Sequence, residues 1–254
     1  MIDRRKLLLG SAALALSGCK VFDSASDKTG TLNRLFSSHA GLTETAQRAL
    51  IGDLLAPEFT DADIRQGQRA NGSTDPVSAE YRQMAETAFR DYPLTVTGLV
   101  DKPVTLSLAD LTALPSRTQI TRHDCVEGWS CIAKWQGVPL GTVLNLAQPK
   151  LTARYAVFHC FDAIERSLSG EVFYYESIDL IDAYHAQTIL AYAMNGAALP
   201  VANGAPLRLR VERQLGYKMA KYVHTIELTD SLATLGQGHG SYWADRGYEW
   251  YAGI

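Results

Sequence analysis

One cysteine of this chain, Cys125, stands among residues that could take part in chemistry. It lies in the run Arg-His-Asp-Cys-Val-Glu-Gly-Trp-Ser, residues 122–130, where polar, charged and aromatic side chains surround the thiol. A thiolate in such surroundings can bind a metal ion or act as a nucleophile. We therefore interpret Cys125 as a ligand, and the other residues indicate what it would bind.

The cysteine count leaves at least one thiol outside any disulfide. If Cys19 belongs to an N-terminal signal, Cys125, Cys131 and Cys160 remain, which is an odd number. Cys125 and Cys131 are six residues apart and could close a small disulfide loop, which stays an open alternative. A nucleophilic pair of Cys125 with a histidine also stays open, because such partners are adjacent only in space.

A second candidate site is a cluster of basic residues in the C-terminal third. Five of them fall within fourteen residues around Gly216: Arg208, Arg210, Arg213, Lys218 and Lys221. On an extended segment Arg208 and Arg210 share one face, and a glycine allows a phosphate to approach the backbone. The cluster is a candidate anion pocket, and the alternative is a charged face in solvent.

The composition limits the class of protein. The chain has 254 residues, of which 46% are hydrophobic, and this is enough for a sizeable core. Its formal charge of −3 argues against nucleic-acid binding, because phosphate backbones select strongly basic surfaces. The sequence contains no nucleophile elbow, no phosphate-binding P-loop and no glycine motif for dinucleotides.

The N-terminus predicts an export signal over residues 1–18. Arg4 and Arg5 precede ten apolar residues, which are too few to span a bilayer, and a Leu-Ser-Gly-Cys sequence follows them. The paired arginines resemble a twin-arginine signal, and the last four residues resemble a lipobox ending at Cys19. An ordinary Sec signal and an unmodified Cys19 are the alternatives.

We therefore expect a periplasmic lipoprotein exported by the twin-arginine route. Residues 19–40 read as a tether, with a lipid anchor as the protein's only contact with the membrane. The twin-arginine route carries folded proteins, so its use would imply that a cofactor is inserted before export.

The hydrophobic pattern of residues 41–254 predicts one α+β domain of short strands and helices. Helices are predicted at 46–55 (ended by Pro57), 77–89, 107–111 and after a turn at 135–140, and strands at 94–100, 118–121, 155–160, 207–211 and 222–228. The strands and helices do not alternate as regular βαβ units, which is why we expect α+β rather than α/β.

Several separated motifs resemble the sulfite-oxidase-type molybdopterin oxidoreductases. They are Cys-Val-Glu-Gly-Trp-Ser at 125–130, Trp-Gln-Gly-Val-Pro-Leu at 135–140, Asn-Gly-Ala-Pro-Leu-Arg-Leu at 203–209 and Gly-Tyr-Lys-Met-Ala-Lys at 216–221. The likeness covers about residues 59–229 in the same order. It is greatest to the periplasmic catalytic subunits that reduce protein methionine sulfoxide, and it implies a sulfite-oxidase-type molybdopterin-binding domain.

The resemblance implies Mo-molybdopterin, with molybdenum bound by the pterin dithiolene and by the Cys125 thiolate. A soft sulfur ligand suits such a metal, and metal binding removes the thiol proton. Glu127 would lie near the open metal position and relay protons. The implied cofactor-binding residues are Asn71, Cys160, Asn203, Arg208, Met219, Ala220 and Lys221. Cys160 falls where the methionine-sulfoxide reductases carry a threonine.

The activity implied is oxygen-atom transfer, with reduction of a small or protein-borne sulfoxide. Val126 to Trp129 lack the arginine that follows the ligand cysteine in sulfite oxidases. Sulfite dehydrogenation is an alternative, as is a non-catalytic ligand-binding lipoprotein with a Cys125–Cys131 disulfide.

We expect a monomer that receives electrons from a separate haem- or quinone-linked membrane protein or a soluble cytochrome. The aromatic residues 242–251 would pack over the domain or dock a partner.

Overall fold

The computed structural model describes residues 41–50, 52–65, 67–167 and 170–254. The predicted export signal and tether lie outside these residues. The contacts divide the chain into two compact units between Gly52 and Asp53. In the described part of the chain, no helix is both long and apolar enough to cross a membrane.

Residues 41–50 are helical and form α1. The prediction that this helix reaches residue 55 is wrong, because residues 52 and 53 form a turn and residues 54–60 are irregular. Gly52 adopts a positive φ of 53°, which suits the end of a helix, and Pro57 disfavours helix in the residue before it.

After α1, short helices and strands follow one another along the chain. The helices are α2 (Ala79–Glu86), α3 (Leu108–Ala113), α4 (Leu140–Ala147) and α5 (Leu180–Ala183), with short 3₁₀ turns at Asp61–Asp63, Val201–Asn203, Gly216–Lys218 and Ala244–Arg246. The strands are β1 (Pro93–Gly98), β2 (Val104–Ser107), β3 (Arg117–Cys125), β4 (Trp129–Pro139), β5 (Tyr155–Ser167), β6 (Gly170–Asp179), β7 (Ile189–Met194), β8 (Ala197–Ala198), β9 (Arg208–Arg210) and β10 (Val223–Thr229).

Two sheets carry these strands. The first has the order β2-β1-β10-β5-β6, and the second has the order β3-β4-β7-β8 with β9 paired to β7. Strands β1 and β10 are parallel, and the other pairs are antiparallel. This mixture of short strands and helices confirms the predicted α+β class.

The predicted turn at 135–140 is wrong, since β4 continues through Trp135 to Pro139 and α4 begins at Leu140. Gly137 explains the difference. A Cβ at this position would overlap the backbone of Leu190 and Ala191 in β7, so the glycine lets two strands approach closely. The ladder also shifts register between Gln136 and Gly137.

Helix α2 packs against the segment before β9. The Ser78 side chain caps the helix by accepting a hydrogen bond from the Tyr81 N–H at 3.3 Å. Tyr81 is buried, and its hydroxyl donates to the Ala205 carbonyl at 2.7 Å. The packing of α2 therefore positions the start of the basic segment.

Candidate active site

Cys125 is the last residue of β3, at the end of a nine-pair antiparallel ladder with β4. The three-residue loop that follows contains Gly128 at a φ of 84°, and its N–H donates to the Cys125 carbonyl at 3.0 Å. The hairpin thus fixes the thiol at a strand end and places Glu127 at the turn. Cys125 is 9% exposed, whereas about half of the Glu127 side chain is exposed.

Burial raises the pKa of the Cys125 thiol, and a backbone hydrogen bond from Glu127 opposes part of this effect. The Glu127 carboxylate accepts a hydrogen bond from the Trp129 indole N–H at 2.9 Å and lies 3.5 Å from the Arg69 guanidinium. Burial therefore favours the protonated thiol, and a metal ion bound to Cys125 would favour the thiolate.

A cavity of about 140 Å³ opens beside Cys125. Four segments distant in sequence line it together with the hairpin: Asn71, Gly72 and Ser73; Asp162, Ile164 and Tyr174; Gly216, Tyr217, Met219 and Lys221; Trp243 and Tyr248. The structure thus brings five of the residues singled out from the sequence to one cavity: Asn71, Cys125, Glu127, Met219 and Lys221.

Arg208 is 2% exposed and lies next to the backbone of Met219, a residue that lines the cavity. Its Nη1 donates to the Asn203 carbonyl at 2.9 Å, and its Nη2 lies 3.5 Å from the Met219 carbonyl. Its Nε has no hydrogen-bond partner among the described residues. Burial, followed by repulsion from Arg210, lowers the pKa of Arg208 to about 9.

Lys221 is 5% exposed, and the acceptors of its ammonium group among the described residues are backbone carbonyls. Its Nζ contacts the carbonyls of Asn71 at 2.6 Å and Ala202 at 3.1 Å, and also that of Ser73. Burial, followed by repulsion from Arg208, lowers the pKa of Lys221 to about 7. Within the described ranges, neither Lys221 nor Arg208 forms a salt bridge with a carboxylate.

These two buried cations fit an anionic cofactor. A buried charge without a counter-ion costs folding free energy, so the pair suits a ligand that brings negative charge. Gly204, at a φ of 112°, lets the two stems converge, since a Cβ there would lie 2.9 Å from Lys221 Cγ and 3.1 Å from Arg208 Cβ. With a thiol on the opposite hairpin, the donor set suits the phosphate and metal of molybdopterin.

The remaining predicted contacts lie at different places. The Asn203 side chain is 8% exposed, and its backbone carbonyl is the acceptor for Arg208. The Ala220 carbonyl accepts from the Leu209 N–H at 2.8 Å and so ties the basic segment to β9. Cys160 lines a separate cavity of about 510 Å³ with His159 and His224, and the structure does not bring it to the cavity beside Cys125.

The basic cluster is buried, so the alternative of a solvated face is wrong for most of it. Arg210 pairs with Glu212 at 2.6 Å, and Lys218 pairs with Glu176 at 2.5 Å. Arg210 Nη1 also donates to His123 Nδ1 at 2.9 Å, which leaves the imidazole proton on Nε2. These pairs form part of the scaffold behind the cavity.

All three described cysteines are free thiols, so the alternative with a Cys125–Cys131 disulfide is contradicted. In the ladder Cys125 is opposite Trp129, while Cys131 is opposite His123. The two thiols are therefore diagonal neighbours, which are usually farther apart than a disulfide allows.

The C-terminal segment packs over the domain, which is the first of the two alternatives for residues 242–251, and docking of a partner stays untested. Trp243 and Tyr248 line the cavity, and the Tyr248 ring lies 5.3 Å from that of Tyr217. The Tyr217 hydroxyl donates to the Glu249 carbonyl at 2.8 Å. The sequence shows that these residues are aromatic, but it does not show that they line the site. Ser73 and Asp162 also line the cavity, and no sequence motif indicates either of them.

Known proteins are similar to this chain in sequence and in fold. The family model described as the oxidoreductase molybdopterin binding domain matches residues 81–234. A relative in Azospira oryzae, YedZ1, whose name assigns it as a protein-methionine-sulfoxide reductase subunit, is 36% identical over 251 residues, covering 98% of this chain and 86% of its own.

A crystal structure of the sulfane dehydrogenase SoxCD from Paracoccus pantotrophus aligns with a TM-score of 0.50 and 21% identity. The alignment covers 70% of this chain and 46% of that one, so the chain spans less than half of its length. This likeness concerns the fold alone. The family match and the extended identity show that the chain belongs to the molybdopterin-binding oxidoreductases of the sulfite oxidase family.

Proposed function

We propose that the protein removes the oxygen atom from a sulfoxide, with molybdenum held by Cys125 and by the dithiolene of molybdopterin. When bound, this cofactor supplies the two-electron oxygen-transfer chemistry, and the protein positions it. The geometry that supports the proposal is a soft thiol at the end of the β3–β4 hairpin, across one cavity from Lys221.

The cofactor's anionic groups would be held by Arg208 and Lys221, because these buried cations lack a carboxylate partner in the described chain. Asn203, Met219 and Ala220 would shape the pocket through the backbone that bonds to Arg208 and β9. Asn71 would contribute from the loop fixed by Lys221. Cys160 has no support from its position, since it lines the other cavity.

The substrate side of the cavity favours a neutral sulfoxide over sulfite, and this is the observation that carries the proposal. Val126, Tyr217 and Tyr248 line the cavity together with Cys125 and the Glu127 side chain. The nearby Arg69 already lies against Glu127. An apolar, aromatic and acidic edge accommodates a methyl sulfoxide and repels an anion. Methionine sulfoxide, in the relative's name, has this chemistry.

Each turnover converts a sulfoxide, two protons and two electrons into a thioether and water. Glu127 is the proposed proton relay, because its half-exposed carboxylate reaches both solvent and the cavity. The electrons would come from a separate electron-transfer protein, since the proposed cofactor must be reduced again after every turnover. A haem- or quinone-linked membrane protein or a soluble cytochrome would serve.

The first test is the metal and pterin content of protein exported from a molybdenum-replete host. We expect about one molybdenum per wild-type chain and almost none in Cys125→Ser. Cys131→Ser is the matched control, because it removes a second buried thiol from the same hairpin. Equal molybdenum in both variants would contradict ligation by Cys125.

The second test separates the two possible substrates. With a reduced viologen dye as electron donor, we expect turnover of methionine sulfoxide, and with an oxidised electron acceptor we expect little oxidation of sulfite. Glu127→Gln should lower sulfoxide turnover by about 10²–10⁴-fold while leaving the molybdenum content intact. Faster turnover of sulfite than of the sulfoxide would instead assign a sulfite dehydrogenase.

The cellular location is also a proposal: twin-arginine export, a lipid on Cys19, and a periplasmic monomer on the membrane. Fractionation of the wild type and Cys19→Ser tests the anchor, because loss of the lipid would release the protein into the soluble periplasmic fraction. Replacing Arg4 and Arg5 by lysine tests the export route. Size-exclusion chromatography of the detergent-solubilised protein tests whether it is a monomer.

A further inference from the structure

The second cavity, of about 510 Å³, has no part in the proposed mechanism. Its volume is typical of small-molecule sites, which are usually lined by aromatic side chains and a few polar groups. Four aromatic rings line this cavity: Phe161, Phe173, Tyr174 and Tyr175. Such walls favour a flat, largely apolar ring system, because aromatic rings pack well face to face or edge to face.

The cavity forms where strand β5 is irregular. The pairing of β5 with β6 shifts register between His159 and Ala163, and the pairing of β5 with β10 is also interrupted. His159 lines the second cavity, whereas Asp162 lines the cavity beside Cys125. One irregular stretch of β5 therefore borders both cavities.

Tyr174 lines both cavities. It is 7% exposed, and its hydroxyl donates to the carbonyl of Tyr217, which also lines the cavity beside Cys125. A molecule bound in the second cavity would therefore lie next to a side chain that also borders the cavity of the proposed cofactor.

His159 is a histidine of the second cavity whose orientation is set by a carboxylate. Its Nε2 lies 3.0 Å from Glu227 Oε2 of the neighbouring strand β10. A proton on Nε2, shared with Glu227, leaves Nδ1 as an acceptor, and Nδ1 has no hydrogen-bond partner among the described residues. An imidazole that a carboxylate orients in this way can act as a general base. His224, the other histidine, is already bonded to Thr225 at 2.9 Å.

We propose that this cavity binds a hydroquinone and that His159 Nδ1 accepts a proton from its hydroxyl group. The inference rests on the molybdenum cofactor of the proposed function, and it adds a source of electrons that needs no protein partner. Reduction of one sulfoxide consumes two electrons and two protons, and oxidation of one hydroquinone releases the same number of each. A hydroquinone is also planar and largely apolar, as the aromatic walls require.

The atoms and electrons of this step balance. The hydroquinone loses two O–H bonds and becomes the quinone. One proton goes to His159 Nδ1, and the other leaves through the exposed part of the lining, which includes Glu80. The two electrons cross the wall at Tyr174 to the proposed cofactor. In total, one hydroquinone and one sulfoxide give one quinone, one thioether and water.

The first experiment compares two electron donors for the turnover of methionine sulfoxide: menadiol, which is a hydroquinone, and a reduced viologen dye. We expect His159→Gln to lower kcat with menadiol about 10²-fold or more, because the base is lost, and to leave viologen-driven turnover within about twofold. His239→Gln is the matched control, because it makes the same change at an exposed histidine that lines neither cavity. It should match the wild type with both donors.

The second experiment measures binding of menadione, the oxidised quinone, to the oxidised protein by calorimetry, without turnover. Phe173 is 43% exposed and lines the cavity, so Phe173→Glu should place a charge where the apolar ring packs. We expect menadione binding to weaken about tenfold and the KM for menadiol to rise by a similar factor. Ile181→Glu is the matched control, because it introduces the same charge at an exposed apolar residue outside the cavity. His159→Gln should bind menadione within about threefold of wild type, since the quinone has no proton to give.

Thermal unfolding checks that each variant folds. If His159→Gln does not fold, Glu227→Gln takes its place, because it removes the carboxylate that positions the imidazole. Menadiol-driven turnover should then fall about tenfold, again without a similar loss of viologen-driven turnover.

Menadiol turnover at the wild-type rate in the His159 variant, or in its Glu227 substitute, would overturn the proposal. Menadione binding that Phe173→Glu does not weaken would also overturn it, as would a wild-type protein that is active with the viologen dye but not with menadiol. A wild-type protein inactive with the viologen dye would contradict the proposed function instead, and menadione binding would still test the cavity. The two failures are therefore distinguishable.

Discussion

Two pairs of buried cations in residues 208–221 differ in what neutralises them. Arg210 and Lys218 are fully buried, and each forms a salt bridge with a buried carboxylate. Arg208 and Lys221 are buried to a similar degree, but they donate to backbone carbonyls and form no salt bridge among the described residues. The first pair is neutralised by carboxylates of the protein, whereas the second has no such salt bridge, as expected of side chains that would meet an anionic ligand.

This difference separates scaffold from ligand site within one short segment. The Arg210–Glu212 salt bridge is part of a larger buried network. Gln119 donates to Glu212 at 2.9 Å, and Arg210 donates to His123 at 2.9 Å. A closed network of this kind holds its geometry whether or not a ligand is bound. In the other pair, Lys221 lines the cavity, where a bound anion would lower the energy of its buried charge.

The largest expected effect comes from breaking a neutralised pair. Glu176→Leu leaves the Lys218 ammonium buried without its carboxylate, so we expect a loss of roughly 3–5 kcal/mol in the free energy of unfolding. Chemical denaturation of the cofactor-free protein measures it. Glu165→Gln, in the exposed pair with Arg246, is the control and should cost far less, because water screens the charges of an exposed pair. Equal losses would remove the distinction between scaffold and surface pairs.

Gly204→Ala should act on the other pair by forcing its stems apart. The new Cβ would lie 2.9 Å from Lys221 Cγ at a φ of 112°, so we expect a loss of roughly 1–3 kcal/mol and weaker pterin binding. Gly196→Ala is the matched control, because its φ is also positive but no atom lies within 4 Å of the added Cβ. A smaller loss at Gly204 than at Gly196 would contradict the close approach.

Lys221 should make the cofactor-free protein sensitive to pH. Its pKa is about 7 in the fold and near 10.5 when unfolded, so between these values the unfolded chain binds the extra proton. The fold therefore gains stability as pH rises, by about 1 kcal/mol between pH 7 and pH 8. Denaturation curves for the wild type and Lys221→Met isolate this contribution. If the unfolding free energies of the wild type and Lys221→Met changed in parallel with pH, burial would not lower the pKa of Lys221.

The smallest expected effect on stability is that of Arg208→Met. Removing a buried cation that no carboxylate neutralises should change the free energy of unfolding of the cofactor-free protein by about 1 kcal/mol or less. Pterin content should nevertheless fall. Arg210→Met is the comparison, because it leaves the buried Glu212 carboxylate without its salt-bridge partner and should be strongly destabilising. A large loss from Arg208→Met would mean that this arginine also belongs to the scaffold.

The sequence predicts the fold class and five of the ten strands, β1, β3, β5, β9 and β10, because alternating burial and turn residues are local signals. It fails where a distant contact decides the local structure. Gly137 looks like part of a turn, but it is the position where β4 lies against Leu190 and Ala191 of β7. Helix α1 is predicted too long for a different reason, since four spaced apolar residues outweighed the breaking effect of Gly52 and Pro57.

For the site, the motif likeness finds residues of the hairpin and the basic segment, but it cannot state which cations are neutralised. The partners of Arg210 and Lys218 are Glu212, nearby in sequence, and Glu176, which is 42 residues away. Asp162 carries no local signal at all. Its orientation depends on an irregularity of β5 that only the pairing with β6 and β10 reveals.

The β3–β4 hairpin joins residues that are close in sequence, from Arg117 opposite Gly137 to Cys125 opposite Trp129. Such local pairs close early and quickly, because little chain entropy is lost in forming them. The contacts of Lys221 form between residues that are much farther apart in sequence. Asn71, whose carbonyl accepts a hydrogen bond from Lys221, lies 150 residues away. We therefore expect the Cys125 thiol to be positioned first and Lys221 last, so that uptake of the proposed cofactor would report completion of the whole fold.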